Sequence, residues 1–309
     1  MTTSNRRTIK IPSKGEELDA WVYPAAGVQE GQKAPAVLMA HGLGGIKLMR
    51  LDAFSEKFSQ AGFVTIAFDY RFFGDSSGEP RGLIDITKQQ EDWDSAFDYV
   101  RTQMLEVDPD RIGLFGTSFS GGHVIQQAAK HGNQVKATVS QCPFTDGLAS
   151  ALQVKFSTIP TLFFRGIRDQ VFRSNTNPVR IPLVAEPGNA ALLASHDTVS
   201  GYMALLPPGV TKLDVEEVPA RAALWIPLAR PGTYAKQVKS PIFFAVCTKD
   251  SVAPAKQTIG FAKQAPKGTI KEYDVGHFDI YVGEPFEKAT KDYIDFYKAS
   301  FDAAITSKL

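Results

Sequence analysis

Short apolar runs alternate with longer stretches of helical periodicity along most of this chain, and that alternation restricts the fold more than any other feature. Residues 36–40, 63–68, 111–115, 135–139, 242–247 and 270–273 have strand length. The central runs are near-continuously apolar, as in strands buried on both faces of a parallel sheet. Between them, 47–61 places Leu51, Phe54, Phe58 and Ala61 on one helical face. The next helix carries the stripe Trp93, Phe97, Val100 and Met104, with Thr87 and Gln90 in capping-box spacing. Residues 119–130 form a helix closed by Gly132, and 252–264 and 285–304 are helical. An N-terminal hairpin pairs 8–11 with 18–23 across Ser13-Lys14-Gly15. The expected fold class is α/β, a mostly parallel central sheet flanked by helices.

One stretch breaks the rhythm. Residues 145–232 are rich in Pro and Gly and too long for a simple connection between strands. They read as a mostly helical cap inserted into a core made of 1–144 and 233–309. A chain of 309 residues can bury about three quarters of its unfolded surface, so such a core is within reach.

The chemistry centres on Gly116-Thr117-Ser118-Phe119-Ser120-Gly121-Gly122, between a strand and an amphipathic helix. A sharp strand-to-helix turn exposes a serine Oγ above the sheet, and Ser118 takes that position. Two positions later stands Ser120 rather than Gly, so a second frame, with Ser120 as nucleophile, stays open. His41-Gly42-Leu43-Gly44-Gly45 follows the strand 36–40. Glycines there let a backbone N–H face the site, and Leu43 and Phe119 are the candidate oxyanion donors. Asp250 and His277 each follow a strand, in the chain order Ser, Asp, His. His277 is the candidate base and Asp250 its orienting acid. Asp146, after the preceding strand, is the alternative acid. His41, His123 and His131 read as structural, and Asp69 and Asp75 as loop-shaping. His196, in the cap beside Asp197, is a weaker candidate for touching substrate. Phe163, Met203 and Trp225 are candidate pocket residues, with the cap's own core as their other role.

Other classes find little support. The formal net charge is +1, without the basic stripe of a nucleic-acid binder. No metal-ligand cluster, P-loop or dinucleotide fingerprint occurs, so the expected chemistry needs neither metal nor cofactor. Cys142 and Cys247 read as buried thiols in a reducing compartment. No stretch approaches the roughly 20 apolar residues of a membrane span. The expected location is the cytoplasm, or the peroxisome if a eukaryote reads Ser307-Lys308-Leu309 as an address.

On these segments the chain resembles the α/β-hydrolase superfamily over nearly its whole length. A closer likeness is to bacterial and fungal members grouped with polyketide transferases. It rests on His41-Gly42-Leu43-Gly44, Met49-Arg50-Leu51-Asp52, Phe68-Asp69-Tyr70-Arg71, Gly74-Asp75-Ser76, Glu91-Asp92-Trp93 and the Ser118 segment. Ser120 is similar to that subgroup's habit, which implies Ser118 as nucleophile. The resemblance implies an acyl-enzyme that passes its acyl group to water or an alcohol. Members with a carboxylate nucleophile, the epoxide hydrolases and dehalogenases, have it where Ser118 stands here. The expected substrate is a small hydrophobic ester or thioester. A serine peptidase and a non-catalytic small-molecule binder are the alternatives.

Overall fold

The computed structural model describes residues 6–29 and 31–306. The strands in chain order are β1 (Arg7–Ser13), β2 (Glu16–Tyr23), β3 (Ala34–Ala40), β4 (Val64–Phe68), β5 (Val107–Thr117), β6 (Val135–Gln141), β7 (Arg180–Pro182), β8 (Glu217–Pro219), β9 (Ile242–Cys247) and β10 (Gly268–Tyr273). The helices are α1 (Leu51–Gln60), α2 (Ile86–Gln103), α3 (Phe119–His131), α4 (Gly147–Ala151), α5 (Ile159–Phe172), α6 (Thr198–Ala204), α7 (Ala222–Trp225), α8 (Ala255–Ala262) and α9 (Gly283–Thr306).

Eight strands form one sheet in the order β1-β2-β4-β3-β5-β6-β9-β10. From β4 to β10 all pairs are parallel, and β2 joins both β1 and β4 antiparallel. After β4 the chain crosses back to lay β5 on the other side of β3. The carboxyl ends of β3 and β5 therefore lie side by side, with Ala40 opposite Gly116. Such a reversal leaves a crevice above the strand ends, where open α/β sheets bind ligands.

Helices α1 and α9 pack on one face, and α2 and α3 on the other. Phe54 of α1 touches Phe115 of β5 and Phe286 of α9, with ring centroids 4.9 and 4.8 Å away. On the opposite face Trp93 is fully buried against Phe68, and its indole N–H donates to the Tyr70 hydroxyl at 2.8 Å.

Three helix starts depart from the periodicity. Helix α1 begins at Leu51, not 47, after Arg50 in a left-handed conformation. The preceding residues are bent inward because Lys47 is buried. Its Nζ lies 2.5 Å from Asp69, 2.8 Å from Asp19 and 3.0 Å from Asp75. The cap of α2 is Asp85, which accepts from the Lys88 N–H, rather than a Thr87–Gln90 box. Gln90 instead meets His123 and Gln126. Helix α8 starts at Ala255, because the N–H groups of Val252 and Ala253 are taken by the Asp250 carboxylate.

Burial works against the charge on Lys47, yet the three carboxylates hold its pKa above the usual lysine value. Removing the ammonium leaves buried carboxylates uncompensated, at a cost of about 3–5 kcal/mol. Lys47→Ala is therefore expected to lower the urea midpoint strongly with little change in slope, read by equilibrium unfolding.

The segment between β6 and β9 rises over the carboxyl ends of the strands. It carries α4 to α7 and also a small antiparallel sheet, β7 with β8, which periodicity did not announce. Several contacts tie it to the core, three of them near the strand ends. Tyr202 of α6 donates to the Leu43 carbonyl, Ser251 donates to Asp197 at 2.5 Å, and Leu183 is buried beside Gly44.

Candidate active site

Ser118 stands between β5 and α3 with φ 56° and ψ −116°. A side chain held there costs about 1–3 kcal/mol and persists only where its surroundings enforce it. The enforcing contacts are backbone bonds. The Ser118 N–H donates to Gln141 O at 2.9 Å, and Ser118 O accepts from Phe144 N–H at 2.9 Å. Gly116 is required by close approach, since a Cβ there would lie 2.2 Å from Ser120 O.

The three residues separated by 159 positions in sequence converge here. His277 Nε2 lies 2.9 Å from Ser118 Oγ, and His277 Nδ1 lies 2.7 Å from Asp250 Oδ2. With Nδ1–H donating to the carboxylate, Nε2 is left as the acceptor for the serine hydroxyl. The second Asp250 oxygen accepts from the N–H groups of Val252 and Ala253, at 2.8 and 2.6 Å. His277 is 2% exposed. Burial opposes the charged imidazolium, but Asp250 outweighs it and the ring is raised to about 9.

The loop after β3 presses against the serine. A Cβ on Gly42 would meet Ser118 Cβ at 3.0 Å and Thr117 O at 3.3 Å. The Leu43 carbonyl is held by Tyr202, which fixes the plane of the peptide that follows Leu43. Phe119 opens α3, where backbone N–H groups have no partner within the helix. Tyr202 carries no motif in the sequence; only the folded position of α6 reveals it.

Two spaces meet at Ser118. A cavity of about 590 Å³ is bounded by Leu43, Phe119, Leu162, Phe163, Leu224 and Trp225, among others. Among the described residues, none of its walls bears a charge. On the other side of Ser118 a recess of about 30 Å³ is bounded by Gly42, Leu43, Tyr202 and His277. Phe163 and Trp225 thus line the large cavity, but Met203 does not. Neighbouring helical positions point about 100° apart, and Tyr202 holds the inward one while Met203 is exposed.

The remaining candidates fall elsewhere. Ser120 is fully buried and its Oγ meets the Tyr70 hydroxyl at 2.9 Å, away from His277. Asp146 caps α4 and pairs with Arg230, so it is not the acid beside His277. His41 is buried against Gly42 O and its pKa falls to about 3, because burial disfavours its charge. His123 lies between Gln89 and Gln90, and His131 meets Asp94. His196 is exposed and does not line the cavity. Asp69 and Asp75 anchor Lys47. Cys142 and Cys247 are free and buried. No described helix is long and apolar enough to cross a membrane. Ser307-Lys308-Leu309 lies outside the described residues.

Known proteins are similar to this chain in sequence and in fold. The chain is 44% identical over 292 residues to the quorum-quenching protein AidA of Acinetobacter baumannii, covering 94% of this chain and 93% of that one. It is 25% identical over 316 residues to polyketide transferase af380 of Aspergillus fumigatus, covering 96% and 99%. A solved structure of DcsB in complex with its substrate analogue superposes with a TM-score of 0.80 at 22% identity, covering 96% of this chain and all of that one. The profile of the family described as alpha/beta hydrolase fold matches residues 35–284. The chain therefore belongs to the α/β-hydrolase family, and within it is similar to a polyketide transferase.

Proposed function

We propose that this protein is a serine-dependent acyl hydrolase acting on an ester or thioester with a hydrophobic acyl group. The observation that carries this reading is a hydrogen-bonded series, Ser118 to His277 to Asp250, opening on an uncharged apolar cavity. His277 takes the Ser118 proton as Oγ attacks the acyl carbon. Asp250 holds the tautomer and stabilises the imidazolium that forms. The N–H groups of Leu43 and Phe119 receive the developing oxyanion. Collapse of the tetrahedral intermediate expels the alcohol or thiol, which takes its proton from His277, and leaves the acyl-enzyme. Water, deprotonated by His277, releases the acid and restores Ser118. Residues 145–232 act as the cap whose inner wall holds the acyl chain.

A second reading, transfer of the acyl group to an alcohol, is favoured by the likeness to a polyketide transferase. Competition between water and an added alcohol for the acyl-enzyme separates the two outcomes.

The reading is tested with p-nitrophenyl esters of increasing acyl length. Each methylene moved from water into the cavity adds up to roughly 0.8 kcal/mol, or about fourfold in kcat/KM. A steady rise over the first several carbons is expected, followed by a plateau. A flat series, or preference for a succinyl over a butyryl ester, would contradict the apolar acyl site.

A further inference from the structure

Helix α5 of the cap is amphipathic in an unusual sense. Its inward stripe is Leu162, Gly166 and Asp169, at spacings of four and three, and all three are buried. Asp169 is neutralised there by Arg221, 2.6 Å away. The opposite stripe faces solvent, and it too is apolar. Phe164 and Val171, seven positions apart and so on one face, are 70% and 71% exposed, and Phe172 beside them is 71% exposed. Arg165 and Arg168 are interleaved with them and exposed, Arg173 caps the helix end, and Lys155 lies just ahead of the helix. Between Leu148 and Arg173 the sequence holds no acid except the paired Asp169.

We propose that this face of α5 docks on a bilayer containing anionic phospholipid. Apolar and aromatic side chains that enter the acyl boundary, flanked by guanidinium groups at headgroup level, are what such a surface recognises. A second copy of the chain is a poorer occupant. A two-fold contact sets one patch against itself, and Arg165 and Arg168 would then face the same two cations of the other copy. The docked face also adjoins the acyl site. Phe163 and Ile167, on the neighbouring strip of α5, line the 590 Å³ cavity. A hydrophobic acyl compound dissolved in the bilayer would meet the cavity without crossing bulk water.

The test is co-sedimentation of the full chain, as wild type and as Ser118→Ala, with vesicles of phosphatidylglycerol and phosphatidylcholine in equal parts. Vesicles of phosphatidylcholine alone are the reference. Both proteins are expected to bind the mixed vesicles at low salt and to leave them at high salt. Each arginine near an anionic surface is worth about fivefold in binding, so Arg165→Glu with Arg168→Glu is expected to lose at least twenty-fivefold. Phe164→Ser with Phe172→Ser is expected to lose at least tenfold. Both double variants should hydrolyse a short, water-soluble ester as the wild type does, which separates failure at this surface from failure at Ser118. Absence of binding to mixed vesicles at low salt, or undiminished binding by both double variants, would overturn the proposal. So would a solution dimer that the Phe164/Phe172 variant splits, since the face would then belong to a protein interface.

Discussion

Ser118→Ala is expected to lower kcat by about four to six orders of magnitude while leaving the fold intact. In enzymes with this kind of triad the nucleophile and its base act as a unit, and loss of either removes nearly all that the unit supplies. The residual rate, about a thousandfold or more above that in water, is expected to come from the proposed donors of Leu43 and Phe119 and from acyl binding. KM should change little, because the cavity that holds the acyl chain keeps its walls. Stability should fall by about 1 kcal/mol, since the substitution removes the hydrogen bond that the buried His277 Nε2 accepts from Ser118. Ser120→Ala makes the informative contrast. That serine bonds Tyr70 beneath the turn, so its loss is expected to cost stability of about 1 kcal/mol and less than tenfold in kcat. Steady-state kinetics of the two variants with one p-nitrophenyl ester checks both values.

Asp250→Asn has the next largest expected effect, a fall in kcat of about 10⁴, with a change in the pH profile that a merely structural residue would not produce. In the wild type His277 is raised to about 9, burial being outweighed by the carboxylate. The base is competent only when neutral, so kcat/KM should rise with pH through the range from the ordinary histidine value towards about 9. The asparagine amide carries no charge to stabilise the imidazolium, while burial still opposes it. The ascending limb should therefore move to lower pH in the variant, even as the plateau falls. An unchanged limb would mean that a group other than His277 governs it. The asparagine also offers an N–H to Nδ1, which drives the proton to Nε2 and turns the base away from Ser118.

The residues of the candidate site were legible for a physical reason. Ser118, Asp250 and His277 each follow a strand directly, and strand ends of a parallel sheet converge at one edge. Their chemistry marks them without knowledge of their neighbours. The same holds for Gly42, whose lack of a side chain lets its loop lie against Ser118. What was illegible depends on long-range contact. Lys47 reads as a helical residue in its local pattern, yet Asp19, Asp69 and Asp75 draw it into the interior and delay α1 by four residues. Tyr202 and Met203 are adjacent and alike in polarity along the sequence, and only the docking of α6 decides which one faces the site. Within the segment above the sheet, strands β7 and β8 are three residues each, too short for any period to register.

The central claim is that Ser118 is an activated nucleophile, and labelling of the folded protein with a fluorophosphonate, followed by peptide mapping, tests it most directly. The hydroxyl attacks phosphorus only when a base removes its proton and nearby donors receive the oxygen. One label per chain is predicted, on Ser118, absent in Ser118→Ala and greatly slowed in His277→Ala. A folded wild-type chain that stays unlabelled, or a label found on Ser120, would contradict the account.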